Sequence, residues 1–274
     1  MWTGSNQKSC DELNRLVREV LCDPRFKISD LLSFDARRAT AKVDAAIEQH
    51  NDRWEEVTLE INVPSGRGDP VPPFPIPGFL NRSIVEVIKS AWSSIDAHAS
   101  EWHYVPFRQY WQRSDGKIER VHDELYASEA FNKAYEDLQR QEPEPGCTLE
   151  RVVCGLMFWS DSTHLANFGD ASLWPLYMYF GNLSKYVRCK PSTSACHHIA
   201  YIPKLPDTFH DFFVRHKKEP PTGDILTHCR RELMHAVWRY LLDEDFLMAY
   251  KHGIVIKCAD GIIRRVYPRI FTYS

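Results

Sequence analysis

The chain of 274 residues lacks long hydrophobic runs. No apolar stretch reaches the roughly 18 residues that crossing a bilayer requires. The opening segment, Met1 to Glu12, is polar and carries no apolar core of a secretory leader. Membrane and secreted classes are therefore not expected, and nucleus or cytoplasm is the expected location. The acceptor sequons at Asn81 and Asn182 then carry no expectation of glycosylation. Glycine is sparse, at 12 residues, and none of it forms a phosphate-binding loop of the P-loop or dinucleotide type. The eight cysteines are spread along the chain instead of being packed into a small framework, so reduced thiols are expected. Cys189, Cys196, His197 and His198 follow a C-x6-C-H-H spacing that matches no standard zinc module. On a strand, His197 and His198 would face opposite ways, so a plain strand is expected there. The histidines also lack the neighbours that a serine or cysteine nucleophile triad would need.

Net charge is small as well, at −3, which excludes a uniformly basic nucleic-acid glove. The charge is uneven, however. Leu183 to Ser274 holds 15 Lys and Arg against 9 Asp and Glu, so the front of the chain carries the acidic excess. That asymmetry fits DNA binding on one face. Lys185, Arg188 and Lys190, with Lys217 and Lys218 from the run Arg215-His216-Lys217-Lys218, are the candidate phosphate contacts. A solvated basic surface is the alternative.

Hydrophobic patterning predicts the elements. Ser9 caps a helix with Leu13, Leu16, Val17, Val20 and Leu21 on one stripe, and a second helix is expected over 35–50. Trp54 to Val63 alternates as a strand, with Val57, Leu59, Ile61 and Val63 facing one way. The proline-rich stretch 64–77 reads as an extended loop. Arg82 to Trp102 reads as a helix, Tyr104 to Trp111 as an aromatic strand, and Ser128 to Gln141 as a polar helix. The Glu142-Pro143-Glu144-Pro145-Gly146 break marks an expected boundary, giving a helical to mixed region 1–147 and a second region 148–274. After it, Val152–Asp161, Leu173–Phe180 and Ile199–Ile202 are three successive strands, expected to pair as an antiparallel meander. Asp224 to Tyr250 reads as one long helix packed across them. Ile254–Lys257 and Ile262–Tyr267 form a hairpin over the Asp260-Gly261 turn.

The run Gly155-Leu156-Met157-Phe158-Trp159-Ser160-Asp161 ends an apolar strand on a carboxylate. On pattern alone Asp161 is either a cap or turn residue, or one ligand of a metal site. Asp170 and Asp260 read as turn residues, with Asp260 the nearest substitute for a second acid. Trp174 and Tyr177 read as core.

The stretch from Cys147 to Phe213, with Val105-Pro106-Phe107, Tyr110-Trp111, Glu124 to Phe131 and Pro268 to Ser274, closely resembles the transposases of Plavaka elements. These are a fungal branch of the CACTA-type DNA transposons. The resemblance implies an α+β chain whose 148–274 region is the first part of a ribonuclease H-like core. It implies DNA as partner, and three acids that hold Mg²⁺ or Mn²⁺ for phosphodiester cleavage and strand transfer. Asp161 matches the first acid. The family's second acid lies in an Asp-Tyr-Pro-Glu segment that follows a strand like Pro268–Ser274. With one acid present, this chain alone is expected to bind no metal tightly and to cleave no DNA. A decayed or repurposed DNA- or protein-binding fragment is the competing reading, and an incomplete gene model a third.

Overall fold

A computed structural model describes residues 14–27, 29, 35, 38, 54–64, 70–94, 101–164 and 172–272. The chain divides into two compact units, Met1–Asp52 and Arg53–Ser274. In the first, Leu16–Leu21 forms a wide π-type turn with no buried residue. The expected Ser9 cap lies outside the described residues, as does nearly all of the expected helix over 35–50.

The second unit runs β1 (Glu55–Ile61), β2 (Phe74–Asn81), α1 (Ile84–Ser93), β3 (Tyr110–Gln112), β4 (Ile118–Arg120) and α2 (Glu129–Arg140). It continues with β5 (Glu150–Ser160), β6 (Thr163–His164), β7 (Ser172–Leu173), β8 (Pro175–Phe180), α3 (Lys185–Arg188) and β9 (His197–Tyr201). Then come α4 (Thr208–Lys217), α5 (Gly223–Leu241), α6 (Glu244–His252), β10 (Ile254–Lys257) and β11 (Ile263–Ile270). Seven strands form one mixed sheet in the order β1-β2-β9-β8-β5-β11-β10. The architecture is α+β. The expected meander is present: β5 pairs antiparallel with β8, and β8 with β9. After the helices the chain returns as β11, which pairs parallel with β5 from Arg264↔Glu150 to Ile270↔Leu156. The β10–β11 hairpin turns at Asp260-Gly261, where Gly261 takes φ +83° without a Cβ penalty.

Strand β5 is buried on both faces, which is why its sequence is a near-continuous apolar run. Its Val152, Cys154 and Leu156 join the main core with Trp92 of α1 and Val237 of α5. Phe158 meets Trp238 edge-on at 5.1 Å. Its Val153 faces the other way, into a smaller core with Phe131 and Leu138 of α2 and Tyr267 of β11. Alternation in β1 proceeds as expected, with Leu59, Ile61 and Val63 buried.

Four expectations are corrected. The stretch 64–77 is not all loop, because β2 begins at Phe74. Phe74 and Ile76 are buried while Pro75 and Pro77 face outward. The prolines are tolerated because β2 meets β9 only at Leu80 and Asn81, so no ladder needs their missing N–H on that side. The helix from Arg82 ends at Ser93, and Trp102 instead folds back on Trp92 and Phe180 at 5.0 and 5.4 Å. The aromatic stretch from Tyr104 supplies only β3, in a small exposed hairpin with β4. The long helix breaks after Leu241, because the Asp243 carboxylate accepts from Phe246 N at 2.7 Å and caps a new helix, α6.

Strands from both sides of Cys147 share the sheet, since β2 pairs with β9. Both sequon asparagines are buried, Asn81 at 3% and Asn182 at 0% exposure, so neither offers a glycan site in the folded chain.

Candidate functional site

Asp161 is the first residue after β5 and is exposed. Ser160 pairs with Leu176, and two residues past Asp161, Thr163 pairs with Leu173 in the same register. Asp161 thus lies in a continuous hairpin, opposite Pro175. Side chains alternate along a strand, so Asp161 shares a face with Trp159, and cross-strand pairing adds Tyr177 to that face. The ring of Trp159 is 5.6 Å from Tyr177, and Tyr177 is 4.7 Å from His198. His198 Nδ1 bonds the Tyr201 hydroxyl at 2.9 Å. Trp54, just before β1, lies 5.4 Å from Tyr201, and the Arg82 guanidinium carbon sits 5.2 Å from the Trp54 ring centroid. Arg82 also donates to the His198 carbonyl. One row of rings therefore crosses β5, β8 and β9 and ends beneath a cation.

Electrostatics follow the same geometry. Partial burial, then the neighbouring Cys196, Tyr201 and Asp161, push the Tyr177 hydroxyl above its ordinary pKa. Burial, helped by Arg82, lowers the His198 imidazole below its usual value. Asp161 itself makes no hydrogen bond or ion pair with the described residues. Tyr177 is half-buried on this face, not sealed in the main core as expected.

The expected phosphate contacts separate into two groups. Strand β8 carries the chain away from Asp161 before it reaches α3. There Lys185 pairs with Asp123, and Arg188 pairs at 3.2 Å with Glu124, their side chains 13% and 5% exposed. Lys190 is exposed. Lys217 and Lys218 close α4, where Lys218 takes φ +62° and its Nζ donates to the Arg215 carbonyl at 3.2 Å. Helix α4 rests on Phe74 through Phe209 and Phe212, at the same end of the sheet as Asp161.

Asp260 is remote from Asp161. It precedes β11 and pairs with Arg264 at 2.8 Å, and Arg264 also bonds Glu150 at the opposite end of β5. The 11 residues of β5 separate the two aspartates by roughly 33 Å. Asp260 also accepts from Ile262 N at 3.1 Å, as a turn aspartate does. Among the described residues no three His, Cys, Asp or Glu side chains come together as a metal-holding group. His197 meets Phe180 and His198 meets Tyr177, on opposite faces of β9. The described residues therefore do not by themselves fit a two-metal centre.

A family model described as Plavaka transposase matches residues 35–274. The chain belongs to the Plavaka transposase family. No curated protein and no solved structure matches it. The Plavaka match spans the whole seven-stranded sheet, including β1 and β2, so the family unit extends well ahead of the strand that ends at Asp161. No described helix is long and apolar enough to cross a membrane.

The aromatic row is the part of the site that sequence reading missed. Its members come from positions 54, 159, 177, 198 and 201, and only strand pairing joins them. The available signal was the alternation Trp159-x-Asp161, which sets a ring and an acid on one face.

Proposed function

We propose that this chain is the first part of a ribonuclease H-like DNA transposase core, with Asp161 as its first metal-binding acid and DNA as its partner. Family membership supports the transposase class. Three successive antiparallel strands followed by a strand returning parallel beside the first support the ribonuclease H-like reading. The observation that carries it is the parallel β5–β11 pair, which brings the end of β11 alongside the strand that ends at Asp161. Phe271 N still bonds Leu156 O at 2.9 Å, so the pairing is intact past Ile270. In that register β11 runs toward the Asp161 end of β5, on the neighbouring strand about 4.8 Å away across the sheet. That is where the family resemblance expects the second acid.

A two-metal centre needs several carboxylates to fix its ions. Among the described residues no three His, Cys, Asp or Glu side chains come together to hold an ion, at that end of the sheet or elsewhere. By itself the chain acts as a DNA-binding part of such a core and does not cleave. Lys190, Lys217 and Lys218 are the phosphate contacts this reading favours, while Lys185 and Arg188 serve internal ion pairs.

The test uses the chain and its Asp161→Ala variant. Each is incubated with supercoiled plasmid and Mg²⁺ or Mn²⁺, and duplex binding is measured across a salt series. Neither protein should nick the plasmid. Both should bind duplex DNA with an affinity that falls steeply as salt rises. Nicking by the parent that disappears in the variant would show that another acid completes the site. Absence of DNA binding at low salt would overturn the reading.

A further inference from the structure

We infer that the ring row Trp159–Tyr177–His198–Tyr201–Trp54 is a stacking platform for the bases of single-stranded DNA, held beside Asp161. The inference rests on the transposase reading and names the form of DNA that this site takes.

Four observations carry it. The rings follow one another across three strands at ring separations of 4.7 to 5.9 Å, so the row is continuous. Trp159 stands 52% exposed at the end next to Asp161. A single exposed tryptophan is ordinary, but one that heads a row of half-buried rings is a surface. On this face Trp159 is exposed and Trp54, Tyr177, His198 and Tyr201 are partly exposed, and the smaller core under α2 packs against β5 and β11. Leu125, Phe131 and Leu138 lie in that smaller core.

Chemistry selects the occupant. The row carries polar edges: the Tyr201 hydroxyl and His198 Nδ1 bond each other, and the Tyr177 hydroxyl and the second imidazole nitrogen would meet no polar group on an apolar protein partner. Nucleobases offer flat faces to the rings and donors and acceptors to those edges. At the far end two cations stand by the row, Arg82 over Trp54 and the exposed Lys204 after Tyr201, with the exposed Glu56 two residues past Trp54. The neighbouring Glu55 carboxylate is engaged by the Tyr240 hydroxyl at 3.4 Å. At the near end stands Asp161. A base-paired duplex keeps its base faces covered and cannot use the row. A strand freed from pairing can, and it would then pass the acid.

The experiment uses the intact chain and labelled DNA in three forms: a thymidine strand of about 20 residues, a duplex of equal length, and an abasic strand of equal charge. Fluorescence anisotropy gives each affinity, and tryptophan emission reports contact with the row. The thymidine strand should bind tighter than the abasic strand and should quench emission. Trp159→Ala and Tyr177→Ala should each weaken thymidine binding roughly 5- to 100-fold. Duplex binding, resting on phosphate contacts, should stay within about 2-fold. Trp159→Phe should recover part of the loss. If Tyr177→Ala melts early, Trp159→Ala carries the test, because its side chain is half exposed. Single-strand binding unchanged in Trp159→Ala overturns the proposal. Duplex binding without preference for the thymidine strand overturns it too, and leaves the transposase reading standing. Failure to bind any of the three forms overturns both.

Discussion

Where β5 and β11 begin, charge is matched inside the chain. Arg264 is 6% exposed in its side chain, yet it is bonded by Glu150 at 2.7 Å and Asp260 at 2.8 Å and lies 3.8 Å from the Tyr104 ring centroid. The Arg188–Glu124 pair and the Asn182 amide lie toward the same side, away from Asp161. Where the two strands finish, Asp161 is exposed and bonded to none of the described residues, and rings stand half-open beside it. A buried charge survives only when paired, so the first end contributes to stability through its partners. An exposed carboxylate stabilises nothing, so the second end is not explained by folding. The difference separates residues that hold the sheet from residues available to a ligand.

The largest effect should come from Asn182→Ala. The Asn182 side chain accepts from Gly155 N at 2.8 Å and donates to the carbonyls of Val153 and His103 at 2.9 Å. Its loss strands three buried backbone groups, about 3 kcal/mol of unfolding free energy by denaturant titration. A loss below about 1 kcal/mol would mean that the matched end is not holding the sheet. Arg264→Ala comes next, at about 2 kcal/mol, because its two carboxylate partners can turn to water. Arg264 is also the main reason the Asp260 carboxyl titrates below its ordinary value. That stability is present above the usual carboxylate pKa, near 4, and is lost as pH falls through the lower folded value. Acid-side sensitivity should therefore shrink in Arg264→Ala melts.

Histidines sample both ends with a smaller effect. Burial holds His103 and His198 below the ordinary imidazole pKa. The unfolded chain then binds more protons just below about pH 6.5, so stability is full above that pH and declines as pH falls to the folded value. Thermal melts across that window should flatten in His103→Gln and in His198→Gln. A slope that survives both substitutions would assign it elsewhere. Asp161→Ala should be the mildest change, within about 0.5 kcal/mol of the parent, because the side chain is exposed and makes no bond to the described residues. Equal destabilisation by Asp161→Ala and Arg264→Ala would erase the contrast between the two ends.

Much of the sheet was legible locally. Val57, Leu59, Ile61 and Val63 alternate because one face of β1 is buried. The polar helix expected from Ser128 begins there, with Ser128 accepting from Phe131 N at 3.1 Å, and Asp260-Gly261 turns the last hairpin. Strand β2 was hidden by its prolines, whose tolerance depends on a missing neighbour instead of on the prolines themselves. The α5–α6 break was hidden because apolar spacing runs through Leu242, and only the Asp243 cap ends the helix. For the site, Asp161 was legible as an acid closing a strand, and Arg188 was legible only as a cation. Its engagement by Glu124 joins positions 64 residues apart, which no local pattern encodes.

The sequence by itself determined the periodicities, the turn at Gly261 and the family, because each rests on residues close together in the chain or on a motif. Only the tertiary structure decided that β11 lies parallel to β5, that Asp260 and Asp161 occupy opposite ends of the sheet, and that five rings form one row. Those relations depend on which strand neighbours which, and apart from proline every residue offers the same hydrogen-bonding edge. The choice among neighbours is made by burying the two faces of β5 at once, and that is a property of the whole core.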